Sequence, residues 1–286
     1  MNIEPIESHQ HNMAGLFFKA AIKKAQLSAD MQLPKTQIVR RAITIDPQHL
    51  HGYNECIAWP IATFLPPTYI HVLAFQMQLE LMVQADTPFA VIGLVHIENQ
   101  IDQYRPVRQD ELLDISCYLD NLQPHPRGWQ FDLVTEAFVG SEQVWRGVST
   151  NLSRCQMSVR KASEAKKVMP MTLLQRLSLP SELGRQYAKY SGDYNPIHLF
   201  ALSAKLFGFK RQIAHGMWSK ARCLAALSNQ LPPSFNVQVR FMRPVFLPAE
   251  VELHQCVENQ QLHFDLTQAG RKSAHLQGVI NLDFSE

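Results

Sequence analysis

Two hydrophobic rhythms alternate along the chain. After Pro66-Pro67-Thr68, residues Tyr69 to Met82 form an apolar run that predicts a long helix. Behind it, segments 93–107, 111–120, 128–138 and 142–152 alternate apolar and polar residues, the period of two expected of half-buried strands. Pro-His-Pro-Arg-Gly (124–128) and Gly140-Ser141 supply turns between them. The same order then returns. A helical run from Met217 to Leu227, ending near Pro232-Pro233, precedes strand-like segments 235–245, 249–258, 261–268 and 272–284. Arg105-Pro106-Val107 and Arg243-Pro244-Val245 occupy matching places 138 residues apart, each shortly before a glutamate-led strand. The recurrence reads as an internal repeat. One long helix followed by an antiparallel meander implies a sheet wrapped around a central helix, an α+β class of fold. Two such sheets have edges to cover and can join side by side. Met13 to Ala25 predicts an amphipathic helix lying on the protein. Arg160 to Lys167, with four basic residues and one acidic, reads as a solvated linker between the halves.

Composition narrows the picture. The 286 residues are 46% hydrophobic, enough for a substantial core. Charged residues make up 18%, below the ~25% common in soluble domains, which suggests surface buried against a second copy, a possible homodimer. A net charge of +2 lacks the basic excess of a nucleic-acid binder. Five scattered cysteines, without a CxxC pair, fit reduced thiols in a cytoplasmic protein and exclude a zinc knuckle. No apolar run approaches the ~18 residues of a membrane span, and the N-terminal residues lack the basic start of a secretory leader. His9 and His11, near the terminus, are assigned no metal.

The chemistry concentrates between Leu179 and Leu227. Asn195 is a good helix N-cap with Pro196 at the first helical position, and a short helix is expected from Ile197 to Phe207, ended by Gly208. His198 then sits in the first turn, where the positive helix end helps keep the ring neutral and basic. Asp193 lies on a turn bounded by Gly192, so a carboxylate and an imidazole can converge on one small site. Gly216, after Ile213-Ala214-His215, opens the next helix and offers a backbone N–H that can hold negative charge on a carbonyl oxygen. An acid/base pair with an oxyanion donor is the equipment for proton abstraction beside a thioester carbonyl.

The residues Tyr187-Ala188, Ser191-Gly192-Asp193, Asn195-Pro196-Ile197-His198, Gly208-Phe209 and Ile213-Ala214-His215-Gly216-Met217 together resemble the hydratase signature of the MaoC-like dehydratases, which include the (R)-specific enoyl-CoA hydratases of the hot-dog fold. The resemblance implies a hydro-lyase of fatty acid metabolism that interconverts (3R)-3-hydroxyacyl and trans-2-enoyl thioesters of CoA or acyl carrier protein, with no metal or redox cofactor. It implies Asp193 and His198 as the catalytic dyad and the Gly216 N–H as oxyanion hole. Asn195, Tyr190 and His215 are candidate substrate contacts. The first half has no Asp-x-Asn-Pro-x-His. The expected organisation is therefore a double hot-dog: residues 1–155 a degenerate repeat, 156–172 a linker, and 173–286 the catalytic repeat.

Two other functions compete. A thioesterase on the same fold would place a carboxylate on the long helix, and residues 217–227 contain none. A non-catalytic acyl-thioester-binding or assembly module would leave the dyad without a purpose. Arg105 and Arg243 read as ion-pair residues in preference to phosphate binders, because both halves carry the arginine and only one carries the dyad. Lys205, Lys210 and Arg211 form a basic patch beside the site, open to two readings: a solvated helix face, or a contact for CoA phosphates or an acidic carrier protein.

Overall fold

The computed structural model describes residues 4–8, 12–28, 30–60, 63–155 and 169–284. The stretch Arg160–Lys167, most of segment 156–172, and His9 and His11 lie outside the described residues. In the first half, β1 (Glu4–Glu7), α1 (Met13–Ile22), β2 (Thr36–Ile43), α2 (Pro47–Ile57) and α3 (Tyr69–Val83) precede β3 (Val95–Gln103), β4 (Leu113–His125), β5 (Gly128–Val139) and β6 (Glu142–Arg154). The second half runs β7 (Thr172–Leu179), α4 (Leu183–Ser191), α5 (Pro196–Leu199), α6 (Ala201–Leu206) and α7 (Gly216–Ala226). A 3₁₀ turn at Ser228–Gln230 follows, and then β8 (Phe235–Phe241), β9 (Ala249–Glu258), β10 (Gln261–Gln268) and β11 (Ala274–Asn281).

All the strands join one sheet, in the order β1-β2-β4-β5-β6-β3-β8-β11-β10-β9-β7. Outward from the β3–β8 seam, both halves follow one plan. Gln100 pairs with Gln238 across that antiparallel seam. These residues are 138 apart, the offset of the two Arg-Pro-Val triplets, so a pseudo-two-fold axis passes through the pair. The expected meander is corrected in one respect. Apart from the edge pair β1-β2, only β4-β5-β6 and β9-β10-β11 are consecutive neighbours, while β3 and β8 cross over to pair with β6 and β11. That crossover puts β3 and β8 beside each other and closes both inner edges. Two further strands, β2 and β7, precede the long helices and escape the period-two reading. Leu179 alone is buried in β7, so its sequence carries no alternating core signal.

The long helix α3 has no polar side: Tyr69, Ala74, Met77 and Leu81 are fully buried. α1 covers it through Leu16 and Ala20, which pack with Leu79. α1 ends at Ile22, short of Ala25, because Lys23 turns extended. Arg105 forms the expected ion pairs, with Glu142 at 3.0 Å and Glu111 at 2.9 Å. Arg243 forms none among the described residues.

Helix α7 is fastened to the seam by one side chain. Lys220 is fully buried, and its Nζ donates to Asn99 Oδ1 at 2.6 Å, to the Asn99 carbonyl at 3.2 Å and to the Val237 carbonyl at 3.4 Å. A lysine of the second half thus holds β3 and β8 together. Burial keeps the amine well below the ordinary lysine pKa, with the Asp102 charge pulling the other way. Replacing Asn99 with Leu leaves this amine without its closest acceptor and should cost about 1–3 kcal/mol. The double variant Asn99→Leu/Lys220→Met should recover most of that loss. Urea unfolding of the single and double variants at neutral pH measures both.

Candidate active site

The site is made by a loop between two short helices and the start of α7. Gly192 ends α4 in the left-handed region (φ 72°), its N–H returning to the Ala188 carbonyl at 3.0 Å. The chain then reverses into an Asx turn, in which Asp193 Oδ1 accepts the Asn195 N–H at 3.1 Å. Asn195 is the N-cap of α5, with Pro196 after it, as the sequence predicts; its Oδ1 faces the Ile197 N–H at 3.4 Å. The single helix expected over 197–207 is broken. α5 lasts one turn, and Phe200 is extended (φ −141°, ψ 152°) before α6 begins. Arg185 Nη1 caps the break by donating to the Leu199 carbonyl at 2.8 Å.

This geometry unites Asp193, His198 and His215. A carboxylate oxygen of Asp193 and one ring nitrogen from each histidine lie within 4.8 Å of one another. The imidazoles stack with centroids 3.7 Å apart and planes 24° apart. Backbone carbonyls fix both tautomers, because a carbonyl only accepts. His198 Nδ1 donates to the Ile213 carbonyl at 2.8 Å, so Nε2 carries the lone pair. His215 Nε2 donates to the Asp193 carbonyl at 3.0 Å, which leaves Nδ1 bare, buried and unpartnered. In each ring one nitrogen is anchored to a carbonyl and the other is left with its lone pair, which equips the cluster for proton transfer.

His198 is 7% exposed. Burial, foremost, holds its pKa below the ordinary value, while the Asp193 charge and the Ile213 carbonyl oppose that shift. Desolvation therefore replaces the expected helix-end effect as the cause of a neutral ring, and a one-turn helix has little dipole to offer. His215 is pushed down to about 3 by burial and then by its stacked neighbour His198. Its position, holding the loop carbonyl from the N-cap of α7, makes it a support for Asp193.

Gly216 is the first residue of α7, and its N–H has no hydrogen-bond partner among the described residues. A β-carbon there would lie 3.0 Å from the Phe241 ring, so the glycine also admits that ring. Tyr190 is not brought to the dyad. It packs on α2, where a β-carbon on Gly52 would overlap its ring, and lines a cleft of about 320 Å³ with His49, Tyr69 and Gly192.

Sequence reasoning missed three contributors. A β-carbon on Gly184 would overlap the His198 carbonyl, so only glycine lets α4 reach the dyad helix. The first half supplies His71 of α3 and His96 of β3. Burial chiefly lowers them to about 4 and about 3, and the Asp193 charge acts on both. The His96 ring meets Phe241 at a tilt, centroids 4.9 Å apart, and Gln78 Nε2 contacts His71 Nδ1 at 3.3 Å. A histidine interrupting the apolar run of α3 was the available signal.

Residues 156–277 match the family model described as MaoC like domain. The chain is 35% identical to 3-hydroxyacyl-thioester dehydratase X of Mycobacterium tuberculosis over 230 residues, 78% of this chain and 81% of that protein. The crystal structure of HtdX from the same organism superposes with a TM-score of 0.76 at 31% identity, covering 85% of this chain and 98% of the other. A MaoC-like dehydratase from Phytophthora capsici shares the fold, with a TM-score of 0.73 at 19% identity over 90% of this chain and 98% of that one. The fold is the double hot-dog.

Two outcomes are expected. Gly184→Ala should destabilise the protein by about 1–3 kcal/mol through overpacking, measured by chemical denaturation. His71, His96 and His215 bind protons more weakly when folded, at about 4, 3 and 3, than the 6.5 of a free imidazole. The unfolded chain therefore gains the extra protons as pH falls. Stability present above pH 6.5 is lost progressively toward pH 3–4. The apparent Tm should fall below that point, and less steeply in His215→Phe.

Proposed function

The chain belongs to the MaoC-like dehydratase family, and from that premise we propose that it is a hydro-lyase interconverting (3R)-3-hydroxyacyl and trans-2-enoyl thioesters. The observation that carries the reading is the convergence of Asp193 with His198, whose tautomer is set by the Ile213 carbonyl. In the dehydration direction, His198 Nε2 takes the C2 proton. That proton is acidic because the neighbouring thioester carbonyl accepts the electron pair, and the Gly216 N–H stabilises the developing oxyanion. Such a donor is worth about 3 kcal/mol in other enzymes. Asp193 orients the C3 hydroxyl. The abstracted proton passes across the pair to the departing oxygen, so that C2–H and C3–O break, the C2–C3 double bond and an O–H bond form, and the pair returns to its starting state.

In this reading residues 173–286 carry catalysis. Residues 1–155, which lack the dyad, supply the other wall of the site through α3 and β3. α7 contains no carboxylate, which weighs against thioester hydrolysis. Asp193→Asn and His198→Ala should each lower kcat for crotonyl-CoA hydration by at least about 10²-fold, the scale of a lost general acid or base. The decay of enoyl absorbance measures it. Near-normal turnover in both variants would remove the assignment. Release of free thiol without hydration would favour a thioesterase.

A further inference from the structure

The segment that follows the catalytic loop is unusually apolar for a surface. Tyr194 is 48% exposed, Phe200 54%, Leu202 76% and Leu206 80%. Leu202 and Leu206 are four residues apart on α6, so they share one face of that helix. Contiguous exposed apolar surface of this kind marks an interaction site more often than chance exposure does. Its charge is one-sided. From Leu183 to Arg211 the chain has five basic residues, Arg185, Lys189, Lys205, Lys210 and Arg211, and one acidic residue, Asp193. All five basic residues are exposed. Asp193 is the proposed catalytic carboxylate, so the visiting surface meets positive charge around leucine and phenylalanine side chains.

The patch is tied to the dyad. Ser203 Oγ of α6 donates to the Pro196 carbonyl of α5 at 2.6 Å, and the Arg185 guanidinium, which caps α5, lies 4.8 Å over the Phe200 ring. Tyr194 directly follows Asp193 and meets Phe17 of α1 edge-on at 6.4 Å. A partner seated on α6 therefore stands beside α5, the short helix that carries His198.

We propose that the α5–α6 face is the docking surface for an acidic acyl carrier protein, whose negatively charged helix meets Lys205 and Lys210 while its apolar side chains cover Leu202 and Leu206. The inference rests on the thioester reading and names the form in which the substrate arrives. CoA phosphates alone would use the lysines and have no need of the leucines. An acidic helix uses both. Opposite charges raise the encounter rate, so salt should weaken the interaction.

The test compares three crotonyl thioesters, on acyl carrier protein, on CoA and on N-acetylcysteamine, with the full chain and its Lys205→Glu/Lys210→Glu and Leu202→Ser/Leu206→Ser variants. Each variant should lower kcat/KM for the carrier-bound substrate at least tenfold through KM, with the loss shrinking at high salt for the charge variant. Turnover of the N-acetylcysteamine thioester should stay unchanged, which also shows that both variants are folded. Equal losses on CoA and carrier protein in the lysine variant, with none in the leucine variant, would make the patch a phosphate site and overturn the proposal. So would wild-type turnover that gains nothing from the carrier protein. Concentration-dependent dimerisation abolished by Leu202→Ser/Leu206→Ser, or cosedimentation with anionic vesicles lost in the same variant, would assign the face to another occupant. A wild-type chain that hydrates none of the three would sink the lyase reading itself, a result separable from all the others.

Discussion

The hydrogen bond from His198 Nδ1 to the Ile213 carbonyl is the contact on which the proposed chemistry depends, since it decides which nitrogen keeps a lone pair. The same segment returns the favour in the backbone: the Ile213 N–H bonds to the Ile197 carbonyl at 3.1 Å. Two strands of loop thus lock each other, and the imidazole is oriented before any substrate arrives. His215 repeats the device two residues later, giving its Nε2 proton to the carbonyl of Asp193. The Asp193 and His198 side chains are both held by main-chain groups, the Asn195 N–H and the Ile213 carbonyl, which cannot rotate away as side chains do. Preorganisation of this kind is what lets a low-dielectric site act without reorganising.

Those loops hold their shape because of what surrounds them. α4 approaches through Gly184, and α7 is anchored to the seam by Lys220. The buried polar groups, Lys220 with Asn99 and Asn236 with Asp102, lie on the β3–β8 seam. A seam made of apolar residues alone would tolerate slippage by two. One with matched polar pairs fixes the register, and with it the distance between α3 and α7.

Much of this was legible before any coordinates. The two long apolar runs became α3 and α7, the period-two segments became the strands that follow them, and the Asp193-to-His198 motif announced both its turn and its cap. What stayed hidden has physical reasons. β7 lies at the sheet edge and buries only Leu179, so no alternation marks it. Pairing order is a long-range property, which is why the crossover of β3 and β8 could not be read from a local pattern. The interruption at Phe200 is capped by the Arg185 side chain, which reaches the Leu199 carbonyl fourteen residues further along the chain. Tyr190 was a candidate by its place in the motif, and the position of its ring follows from the space left by Gly52, far away in sequence.

The pairing of Gln100 with its own counterpart Gln238 has an implication for how such a chain can diverge. Across a true symmetry axis between identical copies, every off-axis contact occurs twice, and a substitution changes both. Here the Asp102–Asn236 contact and the Glu98–Arg240 contact, at 2.8 Å, are mates under the 138-residue offset, yet one is a buried amide–carboxylate bond and the other an exposed ion pair. Covalent joining has released each site from obeying its twin. The same release permits Lys220 to take a side-chain oxygen from Asn99 on one strand but only a main-chain oxygen from Val237, the matching residue, on the other.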